Sequence, residues 1–253
     1  MTAKRTRNRQ SSAQNGAPVA RNGMPHPPTG TPLPRAILFD WDNTLVDSWA
    51  TIHDALNFLM RKMEKPEWSL AETQERVRLS LRESFPMLFG ERWEEARTIY
   101  LDRFRAIHLD RLTALPGREA MLRSIADLGI YLGVVSNKTG PLLRREVDRL
   151  GWSALFGSVV GAGDATSDKP ACEPVHLALS ESGVAPGEDV WFVGDTALDM
   201  ECARNAGCVA VLLGEPANLE EFARFAPRLS FADGASLFRS LEGLRIGGSG
   251  PSS

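Results

Sequence analysis

Ile37-Leu38-Phe39-Asp40-Trp41-Asp42-Asn43-Thr44-Leu45 is an apolar run that ends in two carboxylates one residue apart, with a hydroxyl two positions further on. Residues i and i+2 of an extended segment share a face. Asp40 and Asp42 are therefore placed to act on one substrate, Asp40 as a nucleophile towards phosphorus and Asp42 as the group that handles protons. Asp and Asn also mark ordinary turns after strands, so the reading depends on the remainder of the chain. Three more features come in order: Ser136-Asn137 after a second apolar strand, Lys169-Pro170 opening a helix, and Gly194-Asp195 with Asp199 four residues on.

Taken singly, each has a plain alternative. Ser136-Asn137 reads as a helix-start turn, Lys169 as a solvated cation, Asp195 as an N-cap and Asp199 as a first-turn acid favoured by the helix dipole. Their joint order resembles the haloacid dehalogenase superfamily, whose motifs are a D-x-D pair, a Ser/Thr, a Lys and an acidic pair. The resemblance spans residues 35 to 215. Phe39-Asp40-Trp41-Asp42-Asn43-Thr44-Leu45-Val46-Asp47-Ser48 is similar to the first motif of the phosphoglycolate-phosphatase-like group, with Asn43 where Gly is usual. Asn tolerates a left-handed backbone better than most residues.

The resemblance implies an α/β fold: a Rossmann-like, doubly wound parallel sheet with a small α-helical cap inserted after the first strand. It implies a Mg²⁺-dependent phosphatase that hydrolyses a small phosphate monoester through an aspartyl-phosphate, with phosphoglycolate the leading substrate. Asp40 is the expected nucleophile, and Asp42 the acid that protonates the leaving alcohol and then the base that activates water. Mg²⁺ is expected on the side chains of Asp40 and Asp195 and the backbone carbonyl of Asp42. Ser136, Lys169 and backbone N–H groups near Asn137 are expected on the phosphoryl oxygens, with Asp199 and Thr44 in support. A covalent intermediate divides a difficult hydrolysis into two displacements, and Mg²⁺ prefers oxygen ligands.

Other activities of the superfamily fit less well. Dehalogenases lack an acid at the second position of the pair, which Asp42 occupies. β-Phosphoglucomutase relatives are expected to carry a cap histidine twelve positions after the nucleophile. That position is Ile52, with His53 one residue on, and one residue turns a helical side chain by about 100°. Phosphonate hydrolysis requires a cap lysine, and Lys62 and Lys65 read as exposed helix-end residues. A phosphosugar mutase or other phosphotransferase stands as the alternative within the superfamily. Outside it stands a noncatalytic interaction protein, which would be signalled by loss of Asp40, Asp42, Lys169 or Asp195; all four are present.

With 253 residues and 43% hydrophobic content, the chain suffices for one sizeable core and a subsidiary domain. Residues 1 to 34 form a basic tail rich in Pro, Gly and Ser, expected to be disordered because it has little apolar surface to bury. The net charge of −3 therefore masks an acidic body, which argues against a nucleic-acid partner. Cys172, Cys202 and Cys208 lack zinc-site or disulfide spacing. No apolar run reaches the roughly 20 residues that span a bilayer. The expectation is a cytoplasmic enzyme of a small phosphorylated metabolite, with its oligomeric state open.

Apolar periodicity predicts helices over 48–64, 69–82 and 92–110, the second opened by a Ser69/Glu72 capping box. These make a cap over 48–112, between core segments 35–47 and 113–246; residues 247–253 read as a flexible tail. The core is predicted to alternate strands at 130–135, 158–161, 190–193 and 208–213 with helices at 141–150, 171–182 and 197–206. The family likeness implies that the loop after the second cap helix, 80–86, faces the site, with Arg82 a candidate for a substrate carboxylate or second phosphate.

Overall fold

The computed structural model describes residues 27–28, 31–77, 79–215 and 219–247. Most of the expected basic tail, and residues 248–253, lie outside the described residues.

Strand β1 (Ala36–Phe39) is buried along its whole length. Its alternate side chains enter separate apolar clusters, Ile37 and Phe39 on one face of the sheet and Ala36 and Leu38 on the other, as the two-residue period of a strand requires. The remaining strands of the main sheet are β4 (Tyr131–Thr139), β5 (Ser158–Ala162), β6 (Val190–Gly194), β7 (Val209–Leu213) and β8 (Leu229–Phe231). They lie in the order β5-β4-β1-β6-β7-β8, and every pairing is parallel. Parallel strands need crossover helices, which cover both faces and explain the near-continuous apolar runs of β6 and β7. Helices α5 (Arg118–Ala126), α6 (Gly140–Arg149) and α9 (Gly234–Gly247) pack on the Ile37 face; α7 (Glu173–Leu179) and α8 (Ala197–Asn205) pack on the Leu38 face.

Between β2 (Val46–Asp47) and β3 (Thr113–Ala114) the chain builds the cap: α1 (Trp49–Lys62), α2 (Leu70–Arg76), α3 (Leu81–Phe89) and α4 (Trp93–Ile107). β2 and β3 pair antiparallel, so the outgoing and returning strands form a narrow neck, a pairing too short to read from sequence. The expected single helix over 69–82 is corrected to two. The Ser69/Glu72 capping box starts α2, which ends at Val77, and a second box at Ser80/Glu83 starts α3. The expected loop over 80–86 is therefore mostly helix. Phe85, Phe89, Tyr100 and Phe104 form the cap core with Leu142 of α6, which joins it to the main domain.

Other expectations also shift. Helix α7 starts at Glu173, so Lys169-Pro170 lies in the preceding loop and does not open the helix. Strand β4 continues to Thr139, so the next helix begins at Gly140 and not beside Asn137. Helices α5 and α9 and strand β8 went unassigned from sequence. No helix among the described residues is long and apolar enough to cross a membrane.

Leu241 of α9 is fully buried against the Ile37 face. Truncating a buried leucine leaves a cavity as well as losing transfer free energy, so Leu241→Ala should lower unfolding stability by about 2–5 kcal/mol. Urea denaturation measures this, and a change below experimental error would show that α9 is not part of the cooperative core.

Candidate active site

Ligands of open α/β sheets bind beyond the carboxyl ends of the strands, where the connections diverge to the two sides. Here that place is the end of β1, between β4 and β6. The Asp40 N–H donates to the Val193 carbonyl at 2.8 Å, extending the β1–β6 pairing by one residue. Asn43 then adopts φ = 64°, the left-handed conformation that the turn demands in place of the usual glycine.

The ends of β1 and β6 and the first turn of α8 bring Asp40, Asp195 and Asp199 to one cluster, with one carboxylate oxygen of each within 4.8 Å of the others. The Lys169 ammonium lies among them, donating to Asp40 Oδ1 at 2.6 Å and Asp199 Oδ1 at 2.7 Å. Thr44 Oγ1 sits 2.9 Å from Asp195 Oδ1 and 3.2 Å from Asp40 Oδ2, bridging the two acids. The other Asp199 oxygen accepts from the Thr196 N–H and hydroxyl in a capping box that opens α8. Gly194 is obligatory here, because a Cβ at that position would collide with the Asp199 side chain.

These groups are buried, so charge is expensive. Burial, with help from Asp199 and Asp42 and against the pull of Lys169, pushes the Asp40 carboxyl up to about 7. Burial and the neighbouring Asp199 and Asp40 push Asp195 well above the usual carboxylate range. Burial acts to lower the Lys169 pKa, but Asp199 and Asp40 outweigh it and hold the ammonium above its ordinary value. Three carboxylates thus converge where one ammonium bridges two of them, Asp40 and Asp199, and the all-oxygen donor set with excess negative charge fits a hard divalent cation.

Ser136 is buried on the cavity wall; its oxygen accepts the Lys138 N–H at 3.2 Å, leaving the hydroxyl hydrogen to be donated. The expectation at Asn137 concerns backbone N–H groups near it, and its side chain is engaged with a neighbouring loop. Its side chain brackets the Lys169 backbone, donating to the carbonyl at 3.1 Å and accepting from the N–H at 3.0 Å. Arg82 turns away from the expected contact with substrate. It makes a bidentate pair with buried Asp168, at 2.5 and 2.6 Å, tying α3 of the cap to the loop that carries Lys169.

Asp42 faces away from the carboxylate cluster. Its Oδ1 accepts from Lys138 at 2.6 Å, and the same ammonium donates to Glu146 at 2.6 Å. Glu146 also accepts from the Trp41 indole at 2.7 Å and from His108, beyond the end of α4, at 2.8 Å. Burial tends to raise the Glu146 pKa, but Lys138 and the three donors hold it below its ordinary value. Burial tends to lower that of Lys138, and Asp42 and Glu146 together raise it. Sequence reading missed Lys138, Glu146 and His108. One signal was available: Glu146 shares a helical stripe with Leu142, Leu143 and Val147, a position where an unpaired charge is untenable. His53 is held between Thr73 and Asn57 within the cap, while Ile52 lines the cavity.

A model of haloacid dehalogenase-like hydrolases matches residues 37–213, from the start of β1 to the end of β7. The chain belongs to that family. It is 30% identical over 183 residues to a phosphoglycolate phosphatase of Xanthomonas campestris pv. campestris, covering 71% of this chain and 82% of the relative. It is 26% identical to the phosphoglycolate phosphatase of Salmonella typhimurium, covering 70% and 80%. Among solved structures, a predicted phosphoglycolate phosphatase from Haemophilus somnus superposes with a TM-score of 0.73 at 22% identity, over 83% of this chain and 99% of the other. A haloacid dehalogenase-superfamily hydrolase from Ehrlichia chaffeensis gives 0.58 at 26% identity, over 85% and 98%. The chain is a phosphoric monoester hydrolase of the phosphoglycolate-phosphatase-like subgroup.

The buried Lys138–Glu146 pair predicts a pH-dependent stability. Glu146→Gln removes one of the two carboxylates on Lys138 and leaves Asp42 as its counter-ion, so the loss is that of charged hydrogen bonds and should cost about 1.5–3 kcal/mol at pH 7. A carboxylate whose folded pKa is depressed contributes fully above its unfolded pKa and loses that contribution as pH falls through the folded value. The gap between wild type and variant should therefore shrink on acidification below the ordinary glutamate value of 4.5. Urea titrations at several pH values measure it; a constant gap would contradict the assignment.

Proposed function

We propose that this hydrolase cleaves a small phosphate monoester in a Mg²⁺-dependent reaction that passes through an aspartyl-phosphate on Asp40. The observation that carries the reading is the convergence of Asp40, Asp195 and Asp199 around Lys169 at the carboxyl edge of the sheet, with Asp42 beside them but outside the cluster. Asp40 and Asp195, with the Asp42 backbone carbonyl, would hold Mg²⁺, and Asp199 supports them by fixing Lys169. Bound Mg²⁺ supplies the positive charge that keeps the two raised carboxyls ionised and offsets the phosphoryl oxygens.

In the first displacement an Asp40 oxygen bonds to phosphorus as the phosphorus–ester oxygen bond breaks. Asp42 gives its proton to the departing alkoxide. In the second, Asp42, now a carboxylate, takes a proton from water as the water oxygen bonds to phosphorus. The phosphorus–Asp40 bond then breaks, and inorganic phosphate leaves with both aspartates restored. Lys169 and the Ser136 hydroxyl neutralise charge on the phosphoryl oxygens, and Asn137 keeps Lys169 in register. Lys138 holds the Asp42 side chain on the cavity wall through a hydrogen bond to its Oδ1. By relationship alone, phosphoglycolate is the first substrate to try.

Hydrolysis of an aryl phosphate in Mg²⁺ should be measurable and should disappear in Asp40→Asn. Asp42→Asn should slow turnover by roughly 10²–10⁴-fold, the usual contribution of a general acid–base group. Wild-type rates in Asp40→Asn would remove it as the nucleophile. In the absence of substrate, Mg²⁺ at about 100 times its Kd should stabilise the fold by about 2.7 kcal/mol. Asp195→Asn should abolish that shift in a thermal melt; a shift of the same size in the variant would place the cation elsewhere.

A further inference from the structure

The cavity above Asp40 and Asp42 has a volume of about 130 Å³, room for several waters and hence for a small ester. Among the described residues that line it, its floor carries all the charge. The charged lining residues are Asp40, Asp42, Lys138, Lys169, Asp195 and Asp199, and both ammonium groups are already shared between two carboxylates. Lys138 also lies 5.1 Å from the Phe104 ring and is 5% exposed.

The roof differs in kind. Ile52 of α1, Leu79 and Leu81 around the α2–α3 turn, Tyr100 and Phe104 of α4, and Leu142 of α6 face the same space. Arg82, the cation expected there, is held by Asp168. Among the described cap residues lining the cavity, Tyr100 supplies the one hydroxyl; burial and the nearby Asp42 and Glu146 push its pKa up, so it stays a neutral phenol.

From this separation we infer that the leaving group is an uncharged, largely apolar alcohol, and that the enzyme discriminates against esters with a carboxylate or a second phosphate. The inference rests on the phosphatase reading above and narrows its substrate class away from phosphoglycolate. A carboxylate on the leaving group would sit among aliphatic and aromatic side chains, with both lysines committed. Such a group loses its hydration and gains no partner. An alkyl or aryl group in the same place loses only contact with water.

The test compares 2-phosphoglycolate with isobutyl phosphate, which matches its branched leaving group without the charge, under saturating Mg²⁺. The expected kcat/KM ratio favours isobutyl phosphate by roughly 100-fold or more. Glycolate is the better leaving group, so intrinsic reactivity works against this outcome. Equal or faster turnover of phosphoglycolate overturns the inference while leaving the phosphatase reading intact; no turnover of any ester overturns both.

Two variants sharpen the result. Leu79→Arg introduces a cation into the roof and should raise kcat/KM for phosphoglycolate by roughly tenfold; no gain, with isobutyl phosphate still turned over, argues against an apolar roof as the source of selectivity. Arg78 falls between two wall residues in sequence and lies outside the described residues. Arg78→Ala should leave the ratio unchanged, and selective loss of phosphoglycolate turnover in that variant would overturn the inference.

Discussion

Three converging carboxylates, two of them buried and bridged by a single ammonium, form the constraint on which the rest of this structure depends. Asp40, Asp195 and Asp199 come from the ends of β1 and β6 and the first turn of α8, and Lys169 from a loop more than a hundred residues from Asp40 in sequence. Such a cluster resists folding, since each ion loses hydration and the like charges repel. Its neighbours make it possible. Gly194 admits the Asp199 side chain, Thr44 bridges Asp40 and Asp195, and Asn137 pins the backbone at Lys169. The apolar clusters on both faces of the sheet supply the stabilisation that tolerates it. The electrostatic strain is also what makes the cluster useful, because a carboxyl poised near 7 responds strongly to an added cation.

A second ammonium links this floor to the cap. Lys138 joins Asp42 to Glu146, and Glu146 collects Trp41 from the core and His108 from beyond the end of α4. On the other side of the site, Arg82 of α3 grips Asp168, the residue before Lys169. The cap is thus bonded at two points to the segments that carry Asp42 and Lys169. Its position and the orientation of the proposed proton donor are held by these two charged clusters, which are stiffer than apolar contact alone because hydrogen-bond geometry is directional.

Much of this was legible in the sequence for a physical reason. The strand-end acids, the serine and the lysine must occupy fixed places at one sheet edge, so their types and order persist as a pattern that can be read. The parallel sheet was legible too, because β6 and β7 are buried on both faces and must be apolar throughout. What escaped was set by tertiary context. That Arg82 pairs with Asp168 depends on a partner 86 positions away, and the hold of the Asn137 side chain on the Lys169 backbone is likewise set by a residue distant in sequence. The break between α2 and α3 was missed because helical spacing continues across it, although Ser80 and Glu83 carry the second capping signal. β8 has three residues, too few for any period to show.

The same contrast separates reaction from substrate. The chemistry at the floor requires particular charges at particular points, and relatives that share it share its motif. Selection at the roof demands only shape and the lack of a partner for the wrong group, which several apolar residues satisfy equally well. A roof position can therefore pass from cation to leucine with no trace in the motif, and a chain 30% identical to a phosphoglycolate phosphatase can keep that enzyme's floor under a different roof. Ile52, Leu79 and Leu81 belong to no motif, yet they line the cavity in which the proposed selection of the leaving alcohol takes place. Substrate identity must accordingly be argued from the groups facing the leaving alcohol, because those facing the phosphorus serve the transfer itself and not the choice of ester.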